Sequence, residues 1–324
     1  IANSPLAGTN ETLTNAWAIW VDAGNMRVDD NIVWQSGTGF NATLDHANTA
    51  ARTYTFPDAS ITIAPDTGGA TANLLINPNW QIDQINEGAL YTVNTTDVRG
   101  PDGWSGTVVG AGVFKLRTLA DPDNAALKCL EITCTTADGT IASTDDYFIF
   151  TAVEGYDFAA LQSGISSAGT VTVQFKFKTT LVGVYGVSLA NSARNRSNYQ
   201  IITVADTSEH EYSLSFTMDT AGTWLYTNGV GLYLQICLSA GTDFQGTAGA
   251  WAGDAKQTTS AQCNFMALNT HTAYLKRIQL IPGSLVQAYR PADIQKELAK
   301  AQRYWEKSYS QGVVPGTASR LGGL

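Results

Sequence analysis

Val171, Val173, Phe175 and Phe177 alternate with Thr172, Gln174, Lys176 and Lys178. A period of two with apolar residues on one side is the signature of a half-buried antiparallel strand with a wet outer face. The pattern recurs. "GTVVGAGVFKLRT", "LKCLEITCTT", "YFIFTAV", "TVTVQFKFKTTL", "GVYGVSLA", "YQIITVA", "EYSLSFTM", "GVGLYLQICLSA" and "TAYLKRIQLIPG" succeed one another between residues 106 and 283, separated by turn residues. Eight or nine strands in some two hundred residues, almost without helical periodicity, predict a two-sheet sandwich of jelly-roll type over 71–288. The 324 residues leave room for further units on either side.

Residues 1–70 read differently. "ETLTNAWAIWVDAGNMRVDDNIVW" and "ARTYTFPDASITIAP" are short alternating runs broken by turns. Large aliphatic side chains are few, so the segment cannot easily bury a core alone. Trp17, Trp20 and Trp34 need a lid, and other copies of the segment are the economical one, which predicts an interdigitated β-shaft. "PDTGGATA" (65–72) has the composition of a linker.

The single helical pattern lies in "YRPADIQKELAKAQRYWEKSY" (289–309), within a last unit of 289–324. Pro291 suits the first turn, Asp293 favours the positive end of the helix dipole, and Lys300, Arg303 and Lys307 the negative end. Ile294, Leu298, Ala301 and Trp305 are spaced 4, 3 and 4, a short coiled-coil-like seam. A helix this short needs a surface to pack on: its own sandwich, or the same helix of sister chains. The chain begins at Ile1 and stops at "SRLGGL", and we expect it to be part of a longer polypeptide.

Charge excludes some partners. The net charge is −9, with charged residues only 15% of the chain. Residues 286–324 hold six cations and three anions, which leaves the body at −12 and without a basic stripe for nucleic acid. No stretch approaches a membrane span. Cys129, Cys134, Cys237 and Cys263 show no metal or redox spacing, and Cys129 and Cys134 point to opposite faces of one strand, so buried reduced thiols are expected. His46, His210 and His271 are scattered.

Several segments together carry a resemblance. "LTNAWAIWVDAGN" (13–25) and "YTFPDASITIA" (54–64) resemble shaft segments of tailed-bacteriophage tail fibres and minor tail proteins. "NLLINPNWQIDQIN", "DGWSG", "GTWLYTNGVGLYLQICLSAG" and "LIPGSLVQAYRPADIQKELAKAQRYWEKSY" resemble, in the same order, a carbohydrate-binding-module-like β-sandwich closed by an "ELxxCQRYYEKSY" helix. Ala301 stands where that pattern usually has Cys. The resemblance implies a mainly β, elongated homotrimer on the virion, built of an N-terminal intertwined β-shaft, a jelly-roll-like β-sandwich and one C-terminal α-helix leading towards a receptor-contacting tip. It implies other phage tail proteins as partners, assembly in the bacterial host cytoplasm, no membrane insertion, and Trp17, Trp20, Trp34, Ile294, Leu298, Ala301 and Trp305 at the interface between copies.

Catalytic signatures are missing: there is no G-x-S-x-G, H-E-x-x-H, phosphate loop or dinucleotide fingerprint. The chain is therefore expected not to be an enzyme. Asp29–Asp30, Asp121 with Asp123, and Asp145–Asp146 admit three readings: turn caps, a structural Ca²⁺ site of the kind sugar-binding jelly rolls carry, or a glycosidase pair. No cofactor is otherwise expected. Sugars offer apolar C–H faces ringed by hydroxyls, so a lectin-like site needs exposed aromatic planes beside amides and charges. Trp251, on the Gly-rich loop 241–262, with Tyr185, Tyr199, Arg194, Asn195 and Asn198, are the candidates for a host-surface glycan. Trp251 as a plug of the sandwich edge is the competing reading. Trp80, Trp104 and Trp224 sit beside Gly or Pro turns and are expected in the core. The function expected is that of a tail-fibre segment supporting attachment. A polysaccharide-degrading tailspike-type enzyme and a capsid or baseplate decoration protein are the alternatives.

Overall fold

The computed structural model describes residues 73–122, 124–284, 286–307 and 313, and the backbone of 32–35 and 41–44. The chain divides into two compact units, Ile1–Ile63 and Ala64–Leu324. In the first, β1 (Ile32–Gln35) and β2 (Asn41–Leu44) form an antiparallel hairpin. Trp17, Trp20, His46, Asp29 and Asp30 lie outside the described residues, as does the side chain of Trp34.

The second unit is a sandwich of two six-stranded antiparallel sheets. One has the order β11 (Ser197–Val204), β10 (Gly183–Asn191), β13 (Val230–Ala240), β8 (Asp146–Glu154), β5 (Trp104–Val109), β4 (Val98–Arg99). The other runs β12 (His210–Thr217), β9 (Thr170–Thr179), β14 (Thr272–Pro282), β7 (Asn124–Thr136), β6 (Val113–Asp121), β3 (Tyr91–Val93). The chain crosses repeatedly between them, and the two sheets bury their facing apolar sides against each other. A short helix α1 (Gly155–Phe158) succeeds β8. All nine alternating runs are strands, but "GTVVGAGVFKLRT" is two, β5 and β6. The break falls at Gly110, whose φ of +143° suits glycine and where a Cβ would come within 2.1 Å of the Tyr147 hydroxyl.

Val171, Val173, Phe175 and Phe177 are fully buried between the sheets. Their polar alternates are less wet than expected: Thr172 and Gln174 are buried as well, because Thr172 Oγ1 donates to Gly283 O and Gln174 Nε2 to Gln287 O. The segment after β14 thus lies over that face. Trp80, Trp104 and Trp224 all belong to the core, Trp80 and Trp104 with ring centroids 5.1 Å apart. All four cysteines are free thiols; three are buried and Cys263 is half-buried.

The helix α2 (Ile294–Gln302) is shorter than the pattern suggested and begins later. Asp293 is its N-cap and accepts from Gln295 N at 3.0 Å, which leaves Pro291 ahead of the helix rather than in its first turn. Its seam is occupied by its own chain. Ala301 is buried with Ile76 and Ile82, Leu298 packs on that cluster, and Glu297 accepts from Asn77 N at 2.8 Å. Ala301 is thus covered within its own chain and Leu298 half-covered there, while Ile294 is exposed and Trp305 half-buried. Beyond Gln302 the chain leaves the helix, with Arg303 and Tyr304 both bonding Glu154 of β8. Held by the Tyr304 hydroxyl and the Arg303 guanidinium, Glu154 stays below the usual carboxylate range.

Candidate functional site

Strand β8 reads Asp146-Tyr147-Phe148-Ile149-Phe150-Thr151-Ala152-Val153-Glu154, with large apolar residues on both faces. Tyr147, Ile149 and Val153 point into the core. Phe148 and Phe150 therefore stand on the outer face, beside Tyr233 of β13, which pairs with Ala152. Their rings form a ridge, in which Phe148 and Phe150 are buried and Tyr233 is half-exposed: Phe148 and Phe150 lie 5.7 Å apart, and Phe150 meets Tyr233 edge-on at 5.7 Å.

Arg194 lies over this ridge. It sits in the β10–β11 turn with φ +50°, a left-handed conformation that is uncommon for a residue with a Cβ. Asn191 braces the turn by accepting from Asn195 N and Arg196 N and donating to Asn195 Oδ1. The guanidinium is 4.3 Å from the centroid of Tyr233, 4.7 Å from Phe150 and 5.5 Å from Phe148, within cation–π range of all three. It also pairs with the exposed Asp97 at 3.4 Å.

Two hollows flank the ridge. One, of about 350 Å³, is lined by Thr107, Asp146, Phe148, Arg194, Gln235 and Gln257 among others. The second, of about 320 Å³, is lined by Arg99, Phe150, Ala152, Glu154, Tyr304 and Trp305 among others, so the turn after α2 forms one of its walls. At ~3.3 Å per residue, the β8 backbone carries this face from Asp146 to Glu154 over about 26 Å.

The first hollow is roofed by the loop after β13. The loop lies on the sheet because Gly186 lets it: a Cβ there would come within 2.3 Å of Gln257 O. Gln257 Nε2 donates to Asp146 Oδ2 at 2.7 Å. Asp146 is buried with its other oxygen unpartnered, and burial pushes its carboxyl up to about 7, against the opposing effects of Gln257 and Arg194.

Of the sequence candidates, only Arg194 reaches this site. Tyr185 is fully buried, edge-on to Phe177 and donating to Leu181 O, and Tyr199 is buried as well, so neither offers a plane to a ligand. Asn195 is exposed but serves the turn, and Asn198 is buried. Trp251 packs edge-on against Trp224 at 5.2 Å and donates to Thr217 O at 2.8 Å, the plug of the competing reading. Phe148, Phe150, Tyr233, Gln235 and Gln257 are additions. The sequence carried a signal for the first two: a strand with aromatic residues on both faces has a covered or occupied outer face.

The acidic clusters separate as well. Asp145 accepts from Ala142 N, a turn. Asp121 is buried against Lys276 at 2.9 Å and Arg277 at 3.8 Å, so protein cations occupy the place a Ca²⁺ ion would take beside this carboxylate. Asp123 lies outside the described residues. Among the described residues no group of three or more His, Cys, Asp or Glu is placed to hold a metal, and no helix is long and apolar enough to cross a membrane. His210 pairs with Asp206, and His271 is buried against Phe265 O.

No protein-family model matches the sequence, and no curated protein does. Solved structures similar to the chain include a family 11 carbohydrate-binding module of a cellulosomal cellulase of Clostridium thermocellum (12% identity over 62% of this chain and 99% of that one, TM-score 0.32). A putative sugar binding protein of Bacteroides thetaiotaomicron is 10% identical over 65% of this chain and 100% of that one, with a TM-score of 0.35. The enzymatically active domain of tailspike protein 4 of Bacteriophage CBA120 is 9% identical over 66% of this chain and 21% of that one, with a TM-score of 0.32. These overlaps are distant.

Proposed function

We propose that the chain is a non-catalytic glycan-binding β-sandwich in a bacteriophage tail fibre, displayed as a homotrimer on the virion and supporting attachment to the host surface. The observation that carries the binding half is the outer face of β8 and β13: an aromatic ridge topped by Arg194 and flanked by hollows lined with Asp146, Gln235 and Gln257 on one side and Tyr304 and Trp305 on the other. Phe148 and Phe150 are the buried base of this face, and the accessible rings are the half-exposed Tyr233 and Trp305 and the exposed Tyr304; such rings beside amides and carboxyls suit a sugar, whose ring carries C–H faces and hydroxyl edges together. The fibre half is supported by the order of the shaft, sandwich and helix segments that resemble tail-fibre proteins. Weak contacts repeated on three copies would hold a cell through effective concentration.

Purified chain tested on immobilised host-surface polysaccharide should bind, and Arg194→Ala should weaken binding without lowering the melting temperature by more than a few degrees. Retention that Arg194→Ala leaves unchanged would remove the site from the proposal. Light scattering that returned a monomer would remove the trimer.

One observation favours hydrolysis as a second reading. Asp146 holds its proton to about pH 7, as a general acid must, and a second carboxyl, Asp97, lines the same hollow. Release of reducing ends from a bound polysaccharide, abolished by Asp146→Asn, would establish it.

A further inference from the structure

The lining of the first hollow holds two buried acceptors with no partner in the protein, one from β8 and one from the loop over it. Asp146 and Gln257 are each 4% exposed and both line it. Their mutual bond uses Gln257 Nε2 and Asp146 Oδ2, and leaves Asp146 Oδ1 and Gln257 Oε1 without a hydrogen bond. An ionised carboxylate only accepts, so the amide must turn its nitrogen towards it and its oxygen away. Orphaned buried polar atoms are rare, and each costs free energy unless something completes it. Arg194 Nε, a donor on the same hollow, lacks a partner too. The three atoms together ask a ligand for two donors and one acceptor, and the volume exceeds what a single water fills.

We infer that this hollow takes a neutral sugar unit, two of whose hydroxyls donate to Asp146 Oδ1 and Gln257 Oε1, and that it rejects a unit carrying carboxylate or sulfate there. The inference rests on the glycan-binding reading and adds the chemical class of the ligand. A hydroxyl pair donates twice and still accepts from Arg194 Nε. A carboxylate or sulfate brings acceptors alone, leaves both orphans incomplete and places negative charge beside a carboxyl. The Arg194 charge does not reverse this, because three rings and Asp97 already hold it.

Protons compete at the same atoms. The charged or titratable groups around Asp146 are Arg194 from the β10–β11 turn, Asp97 from the segment before β4 and Cys237 from β13, with its neighbour Asp145 engaged by Ala142 N. With the carboxyl titrating near 7, ligand hydroxyls meet a charged acceptor above that pH and a neutral acid below it. Charge-assisted bonds are the stronger, so affinity falls as pH drops through 7.

The test is binding of the full chain to a panel of neutral hexose oligosaccharides and of uronate-containing or sulfated ones, at pH 8 and pH 6. Expected are retention of neutral members, loss of roughly tenfold or more in affinity for Asp146→Asn and for Gln257→Ala, and weaker wild-type binding at pH 6 that Asp146→Asn no longer shows. If glycan binds and Arg194→Ala weakens it, but acidic members are preferred or the Asp146→Asn and Gln257→Ala variants bind like wild type, the inference fails while the glycan-binding reading stands. If no member is retained at all, the glycan-binding reading fails and the inference with it. Thermal melts of both variants check that each is folded.

Discussion

Asp146→Asn should make the protein more stable above neutral pH. The folded carboxyl keeps its proton to about pH 7, whereas an unfolded aspartate releases it at its ordinary value of 3.8. Between these values the folded chain binds the extra proton, so stability falls as pH rises across the window and stays low above it. At about 1.36 kcal/mol for each tenfold change in proton affinity, the ceiling on this penalty is roughly 4 kcal/mol. Asparagine keeps an oxygen for Gln257 Nε2 but loses the charge-assisted part of that bond, on the order of 1–2 kcal/mol. The net gain is then about 2–3 kcal/mol at pH 8, and little at pH 5, where the native acid is already neutral. Urea unfolding of wild type and variant at both pH values measures it. Other carboxyls titrate equally in the two proteins, so the difference of differences isolates Asp146. A wild type that gains on the variant between pH 5 and pH 8 would refute the reasoning, because it would mean the carboxylate is better solvated in the fold than out of it.

The packing leads to two more expected outcomes. Leu298→Asp sets a charge against Ile76, Ile82 and Ala301; it should cost about 1–3 kcal/mol of stability and leave the solution mass by light scattering unchanged, since the seam is internal. A lower mass at an unchanged melting temperature would return the helix to the interface between copies. Gly186→Ala forces a Cβ against Gln257 O and should free the loop after β13, read as faster tryptic cleavage at Lys256; unaltered cleavage would show that the loop is held from elsewhere.

The strands were legible because burial repeats every second residue, whereas Asp293, read as a charge favourable to the helix dipole, proves to be the N-cap itself. The site was not local. It depends on a turn that sends Arg194 back over β8, and on a loop whose Gln257 reaches Asp146, 111 positions away in sequence. Tyr185 and Tyr199 looked like site residues because each lies near a turn, but their registers point them into packed surroundings: Tyr185 stands opposite Ile202, a core residue. Burial of Gln174 and Thr172 was hidden for the same reason, since the segment that covers them returns only after β14. Asp121 shows the limit from the other side. An acidic pair beside a turn resembles a cation site, and only the bulge that brings Lys276 and Arg277 to it shows which cations stand there.

The end of the helix joins the sandwich's outer face to the C-terminal part of the chain. Glu154 closes the β8 face and is held by Arg303 and Tyr304, while Tyr304 and Trp305 wall the second hollow. Paired charges that lose one partner leave the other poorly solvated when buried, so the turn has reason to stay on Glu154 as long as that carboxyl is ionised, and Glu154 is held in that form by the same two residues. The turn that ends the helix is thereby a wall of the second hollow. The apolar face of the helix is spent on Ile76 and Ile82, and its last turn positions half-exposed aromatic surface beside Phe150. A short helix that would be unstable alone is fixed at its middle by packing and at its end by ionic contact. That double anchorage is what lets residues from the far end of the chain contribute a fixed surface to a groove built on β8.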